Sequence, residues 1–398
     1  MFILKKFLYL HWIYYYFYKP LKQIYNYTMK RILYLCSLLC MLFLPANGQR
    51  VCNVFGFPAT EPGYSLGVSA CYAGQIDDWL VVAGGCNFPT PGNKTYYAGI
   101  YAARTDDTVL NWRLVGMLPE PAAYGVTVAS GDSLIFIGGN NSKHGLNTAY
   151  SVHLNAEGDR VALRGIANLP CTIDNMSVAK DGDAVYVVGG NHDGKPSASV
   201  LRMDLSSAGG TWSVVGDMPG SPRVQPVSAA YNNKVYVWGG FFANGEKSEV
   251  HTDGCCLDIA TGKWSALPAP RSTDGNVATL SGGMAWPYGS LIMATGGVNK
   301  NIFLDAISGR YERVDKDDYL KQPVEWYRFS GNLYVYDTTK KGWQNMAFAD
   351  RGLARAGAQA VPTQLGIFYI GGELKPSVRT PQIVLLNPVS HTVISPEP

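Results

Sequence analysis

The chain has 398 residues, 47% of them hydrophobic, with 44 Gly and 23 Pro, so it can fill a large core and break into many short elements. Its formal charge of +3 comes from the leader: residues 1–48 hold six Lys/Arg and no acid, which leaves the rest at −3, and nothing in that balance points to nucleic-acid binding. No Pro/Ser-rich linker divides it, and a single large all-β domain absorbs this length.

Residues 1–28 are aromatic and basic without repeat character, and read as an extension from an upstream start that is not normally used. Met29-Lys30-Arg31, the apolar stretch from Ile32 to Pro45 and the small exit Ala46-Asn47-Gly48 follow the order of a secretory signal, with cleavage expected before Gln49. A longer signal anchor is the alternative, but Phe7 to Tyr18 is too short to span a bilayer alone. No Cys follows the apolar stretch where a lipid anchor would need one. The expected mature protein is therefore residues 49–398, exported to the periplasm without a stable membrane anchor; its oligomeric state is not legible.

Val51 to Pro58 is an isolated strand-like run. Beyond it, an apolar run ends in a Gly-Gly pair six times: Gly84/Gly85, Gly138/Gly139, Gly189/Gly190, Gly239/Gly240, Gly296/Gly297 and Gly371/Gly372. The preceding residues, such as Ile135-Phe136-Ile137 and Val185-Tyr186-Val187-Val188, are typical of strands buried on both faces. A period of roughly 50 residues built from short strands indicates a β-propeller with one four-stranded blade per repeat. Trp112, Trp212, Trp264 and Trp343 mark outermost strands whose rings pack between blades, and Leu163 takes that place in the second repeat. No Trp strand follows Gly372, so the run from Val51 is expected to complete the last blade and close the ring. The predicted fold is thus an all-β, six-bladed propeller.

Helical signal is confined to an insertion around Lys316 to Tyr327, between the fifth and sixth pairs. Outside the leader there are six Cys, at 52, 71, 86, 171, 255 and 256, and no metal-binding spacing. Cys71 and Cys86 fall in what reads as one antiparallel pair, as either a disulfide or, more plainly, two buried thiols. Vicinal Cys255 and Cys256 point to opposite faces of a strand.

The most informative segment is Gly371-Gly372-Glu373-Leu374-Lys375-Pro376-Ser377-Val378-Arg379-Thr380. A buried strand delivers Glu373 to the rim, and Pro376 stiffens the turn that returns Arg379 beside it. From the charges alone, a solvated pair in a surface loop is the plainer reading.

The order of inner strand, Gly-Gly strand, Tyr-Asp strand (Leu333-Tyr334-Val335-Tyr336-Asp337) and Trp strand resembles kelch repeats. Residues 372–380 match every fixed position of Gly-Glu-x-Lys-Pro-x-x-Arg-Thr, and so resemble the catalytic loop of the N-acetylneuraminate epimerases, the sialic acid mutarotases. Gly296 to Phe303, followed by Asp317, Asp318 and Tyr319, and Pro219 to Gln225 are similar to segments of the same family. Here the Glu loop lies in the final repeat rather than in mid-chain, which resembles the cyclically permuted branch. The resemblance covers residues 50–390 and is strongest over 219–380. It implies an isomerase without cofactor or metal, with a sugar acid as its small-molecule partner. Glu373 would be the general base and then acid, and Arg379 the fork that binds the sugar's carboxylate and keeps Glu373 ionised. Arg223, Gln225, Arg271, Arg355 and Tyr124, each placed ahead of an inner strand, and Asn299 and Asn301, after a Gly-Gly pair, are the further substrate-binding candidates; an Arg at such a position also serves to cap a neighbouring blade. A non-catalytic kelch module that binds a glycan or protein is the competing reading. A copper-dependent kelch oxidase fits less well, because no pairing of Tyr with two His is evident.

Overall fold

Residues 50–107, 109–206, 210–344 and 349–387 are described by the computed structural model. The upstream extension and the signal segment expected at 1–28 and 29–48 lie outside them. Strands alternate their side chains between two faces, and here both faces are buried. In the strand Ala184–Val188, Val185 and Val187 pack against Ile135 and Ile137 of the preceding sheet, while Tyr186 and Val188 pack against Val235 and Val237 of the following one. Each fully buried Val of this kind contributes about 1.5–3 kcal/mol.

The all-β expectation holds. The first sheet orders Tyr72–Ile76, Trp79–Ala83, Gly99–Arg104 and Arg113–Met117, and four further sheets repeat that antiparallel succession, starting at Val126, Ser177, Val224 and Met284. In the last sheet, Gln359–Thr363, Gly366–Ile370 and Ile383–Leu386 are joined by Val51–Val54, with Val51 opposite Leu386 and Val54 opposite Ile383. Hydrophobic clusters lie between each sheet and the next, and one of them joins the last sheet to the first through Phe368, Ile370, Leu80 and Val82.

At the entry to each inner strand one residue has a left-handed backbone: Ala70, Tyr124, Asn175, Gln225, Gly282 and Gly357, with φ from 52° to 74°. Their peptide groups bond to one another in a circuit. Tyr124 N–H donates to Ala70 O, Asn175 to Tyr124, Gln225 to Asn175, Gly282 to Gln225, Gly357 to Gly282, and Ala70 back to Gly357, over 2.7–3.0 Å. A left-handed conformation costs an L residue about 1–2 kcal/mol, which one such hydrogen bond largely offsets. Below the circuit, the inner strands surround a cavity of about 110 Å³ lined in part by Thr127, Ser177 and Ser228.

The Gly-Gly pairs fasten sheet to sheet. Gly190 N–H donates to Arg223 O over 2.9 Å and Gly372 N–H to Val68 O over 2.8 Å, each acceptor lying just ahead of the next inner strand. Gly189 and Gly190 have φ of 62° and 84°, and a Cβ on Gly190 would lie 2.4 Å from Asp174 O. No other residue fits there. The outer strands are tied similarly: the indoles of Trp112, Trp212 and Trp343 donate to Gly56 O, Ala167 O and Pro268 O beyond the outer strand of the preceding sheet.

Two details differ from the sequence reading. The insertion holds an eight-residue helix, α1 (Lys300–Ile307), ahead of a single turn, α2 (Lys316–Tyr319), and a 3-10 turn (Val324–Tyr327). Cys71 and Cys86 are two buried free thiols, and Cys86 lies past the glycine pair on a separate hairpin rather than opposite Cys71. Cys255 and Cys256 enter different inter-sheet clusters, as opposite faces require. No helix of the described residues is long and apolar enough to cross a membrane.

Gly190→Ala is expected to lower unfolding free energy by about 3 kcal/mol or more, through strain plus a backbone clash. Gly194→Ala, at φ 75° with nothing within 4 Å, should cost only about 1 kcal/mol. Denaturant midpoints compare the two, and equal losses would show that the close approach at Gly190 is not what fixes that residue.

Candidate active site

Beyond Gly372, Glu373–Lys375 and Val378–Arg379 form a hairpin that turns through Pro376 and Ser377, with Ser377 at φ 67°. Its register sets Glu373 opposite Arg379, and the two side chains form an ion pair through Nη1 and Oε2. Glu373 is held at its backbone by both hydrogen bonds of a bridge to Ala356, next to Gly357 of the circuit. The Arg379 side chain is 4% exposed and lies over the Phe88 ring, 5.1 Å from its centroid, whereas Glu373 remains 23% exposed. Burial pushes the Glu373 carboxyl above its ordinary 4.5, although Arg379 and then Lys94 act to lower it. A carboxylate with raised proton affinity beside a fixed cation can take up a proton and return it.

Two other elements flank this pair. A hairpin from the first sheet, Cys86–Thr90 with Asn93–Tyr96, packs its first arm beside Val378–Arg379. It supplies Phe88 and also Lys94, whose ammonium sits 4.3 Å from the centroid of the Tyr124 ring and 5.1 Å from that of Tyr96. The Cys86 thiol donates to the Tyr124 hydroxyl over 3.4 Å. From the fifth sheet, the insertion brings Tyr311, Tyr319, Trp326 and Tyr327 into edge-on contact. Lys375 Nζ donates to Leu320 O and Gln322 O, which anchors the Glu hairpin to that aromatic wall. Acceptors gather on the remaining side, where Asp174 Oδ1 receives the amides of Asn175 and Asn191, and Asn175 Oδ1 receives Gln225 Nε2.

Among the sequence-derived candidates, Glu373, Arg379 and Tyr124 come together, and Gln225 stands with Tyr124 in the circuit itself, its amide on Asn175. Arg223 and Arg355 are turned into the sheets: their side chains are buried, each donating to the carbonyl of the first glycine in its own sheet's pair, Gly239 O and Gly371 O, both over 2.9 Å. Arg223 also binds the Asp253 carboxylate, and Arg355 binds Gln382. Arg271 is displaced from the equivalent position by the turn that follows it; it is exposed and donates to Gly275 O, and Leu280 occupies the place that Arg223 and Arg355 hold. Asn299 caps α1 by accepting from the backbone N–H groups of Asn301 and Ile302, and Asn301 is exposed on the first turn of that helix. Sequence reading missed Lys94, Asp174 and Asn191. Lys94 had a signal, since Thr90-Pro91-Gly92-Asn93 after a Gly-Gly pair reads as a hairpin turn like the one after Gly372. Among the described residues, no three His, Cys, Asp or Glu side chains converge as a metal-binding set.

A family model described as N-acetylneuraminate epimerase matches residues 166–392. The N-acetylneuraminate epimerase of Haemophilus influenzae (strain PittEE) is 30% identical over 226 residues, 54% of this chain and 56% of that protein. The enzyme of the same name from Yersinia pestis is 30% identical over 226 residues, 54% of this chain and 55% of its own length. The chain thus spans just over half the length of the curated relatives it matches. A solved structure titled "Structure of YjhT" superposes with a TM-score of 0.60 at 15% identity, covering 82% of this chain and 97% of that one, a likeness of fold. Since the family match takes in more than half of the residues and includes the Glu373 hairpin, this chain belongs to the N-acetylneuraminate epimerase family.

Proposed function

We propose that this protein is a mutarotase that interconverts the α and β anomers of N-acetylneuraminate or a related sialic acid, on a six-bladed kelch-type propeller closed by Val51–Val54. The observation that carries the activity is the cross-strand pair Glu373 and Arg379, braced by Ala356 and held where burial raises the carboxyl's proton affinity. The support for the propeller is the circuit of backbone hydrogen bonds together with the pairing of Val51–Val54 with Ile383–Leu386. The basic and apolar succession from Met29 supports export to the periplasm.

Glu373 accepts the proton of the anomeric hydroxyl. The oxygen's electron pair then forms the ketone as the bond from the anomeric carbon to the ring oxygen breaks, and that ring oxygen takes the proton back from Glu373. Rotation presents the other face of the ketone, and the same steps run in reverse. Arg379 fixes the position of the Glu373 carboxylate, and Tyr319 and Tyr327 pack edge-on in the insertion to which Lys375 ties the Glu hairpin.

Sialidase-released α-N-acetylneuraminate, followed by proton NMR with residues 49–398, should reach anomeric equilibrium faster than the blank. Glu373→Gln should return the rate to the blank, a loss of at least about a hundredfold in the protein-dependent rate. Identical curves in all three tubes would leave a binding module in place of the enzyme.

The base must be ionised, and its carboxyl is raised, so the blank-corrected rate should fall with decreasing pH at a point above the ordinary carboxyl value of 4.5. A rate that stays level to below that value would rule out a buried carboxylate as the base.

A further inference from the structure

The proposed reaction places two anions at one centre, because a sialic acid carries its carboxylate on the anomeric carbon, the carbon whose hydroxyl Glu373 must deprotonate. Bringing that carboxylate beside Glu373 is unfavourable unless positive charge lies against both. Arg379 supplies one charge, but it is already paired with Glu373, and its side chain is nearly closed to solvent. One cation for two anions leaves the site a charge short.

Lys94 meets the requirement. It stands on the hairpin that also carries Phe88, the ring beneath Arg379, and is therefore placed from the first sheet against the Glu hairpin of the last. Its ammonium makes no hydrogen bond or ion pair with the described residues; it rests over the rings of Tyr124 and Tyr96. Such ring contacts hold a cation in position without using up its three donors. Burial lowers its proton affinity and Arg379 adds to that, while Cys86, Glu373 and Asp174 act in the opposite direction, to keep it charged. Unlike Arg379, Lys94 is exposed to an arriving ligand.

We propose that Lys94 is the group that receives the substrate's carboxylate, supplying beside Arg379 the second cation that Glu373 and the sugar together require. Arg379 then serves Glu373, and Lys94 serves the sugar. This assignment rests on the mutarotase reading and goes beyond it, since it separates two tasks that the Glu-loop motif alone gives to one arginine.

The test compares N-acetylneuraminate with its methyl ester, which lacks the negative charge, using anomer exchange measured by NMR at equilibrium. For the acid, Lys94→Met should raise KM by at least about tenfold, the scale of one charged hydrogen bond, and leave KM for the ester unchanged. Lys94→Arg should restore most of the loss. The assignment is overturned if Lys94→Met changes acid and ester by the same factor, or leaves KM for the acid unaltered. Should wild-type protein fail to exceed the blank, the mutarotase reading falls, and calorimetric titration of the same two ligands decides Lys94 separately. Tighter binding of acid than ester that disappears in Lys94→Met upholds its role; equal binding of the two, or none, removes it.

Discussion

The hydrogen-bonded circuit through Ala70, Tyr124, Asn175, Gln225, Gly282 and Gly357 is the constraint on which the site depends. Each of its members takes a left-handed backbone so that its N–H and C=O point along the circuit, and each is followed by an inner strand. Four of the six are not glycine, so the chain accepts conformational strain at Ala70, Tyr124, Asn175 and Gln225 to close the circuit. In return, three consecutive members carry side chains that furnish one half of the site, Tyr124 under Lys94 and the amides of Asn175 and Gln225. The other half has only Ala70, Gly282 and Gly357, whose side chains are a methyl group or a hydrogen.

The charged groups meet at a seam. Glu373 and Arg379 come from the last sheet and Lys94 from the first, and these two sheets share the cluster that joins Ile370 and Phe368 to Leu80 and Val82. The last sheet is itself completed by Val51–Val54, so the site is positioned by pairing between the two ends of the described chain. Anything that loosens that strand pair moves the Glu hairpin relative to the Lys94 hairpin. The insertion limits the movement from another side, because Lys375 ties the Glu hairpin to the carbonyls beyond α2.

Much of this was legible in the residues. The Gly-Gly pairs announced themselves because a backbone that needs positive φ against a neighbouring carbonyl admits little else, and the Trp markers because an indole spanning two sheets has no small substitute. Glu373 and Arg379 could be read because residues 372–380 resemble the Gly-Glu-x-Lys-Pro-x-x-Arg-Thr loop of a known family; the charges alone suggest no more than a solvated pair. The arginines were harder. Arg223 and Arg355 look like ligand groups in sequence, but a position two residues ahead of the circuit points toward the sheet's own glycine carbonyl, and only three-dimensional pairing reveals it. Arg271 was misaligned by a turn whose length leaves no mark on composition. Lys94 escaped because its hairpin belongs to a sheet distant in sequence from the Glu loop, and Asn299 reads as a ligand group because a helix cap and a ligand amide use the same side chain.

In the proposed reaction Glu373 and Lys94 divide the substrate between them, the anomeric hydroxyl on the carboxylate and the sugar's carboxylate on the ammonium. A crystal structure of the Glu373→Gln variant with N-acetylneuraminate bound tests this most directly. The expected density has the anomeric oxygen within hydrogen-bond reach of residue 373 and the sugar carboxylate on Lys94 Nζ. A sugar seated in the axial cavity beneath the circuit, or one whose carboxylate turns away from Lys94, would contradict it.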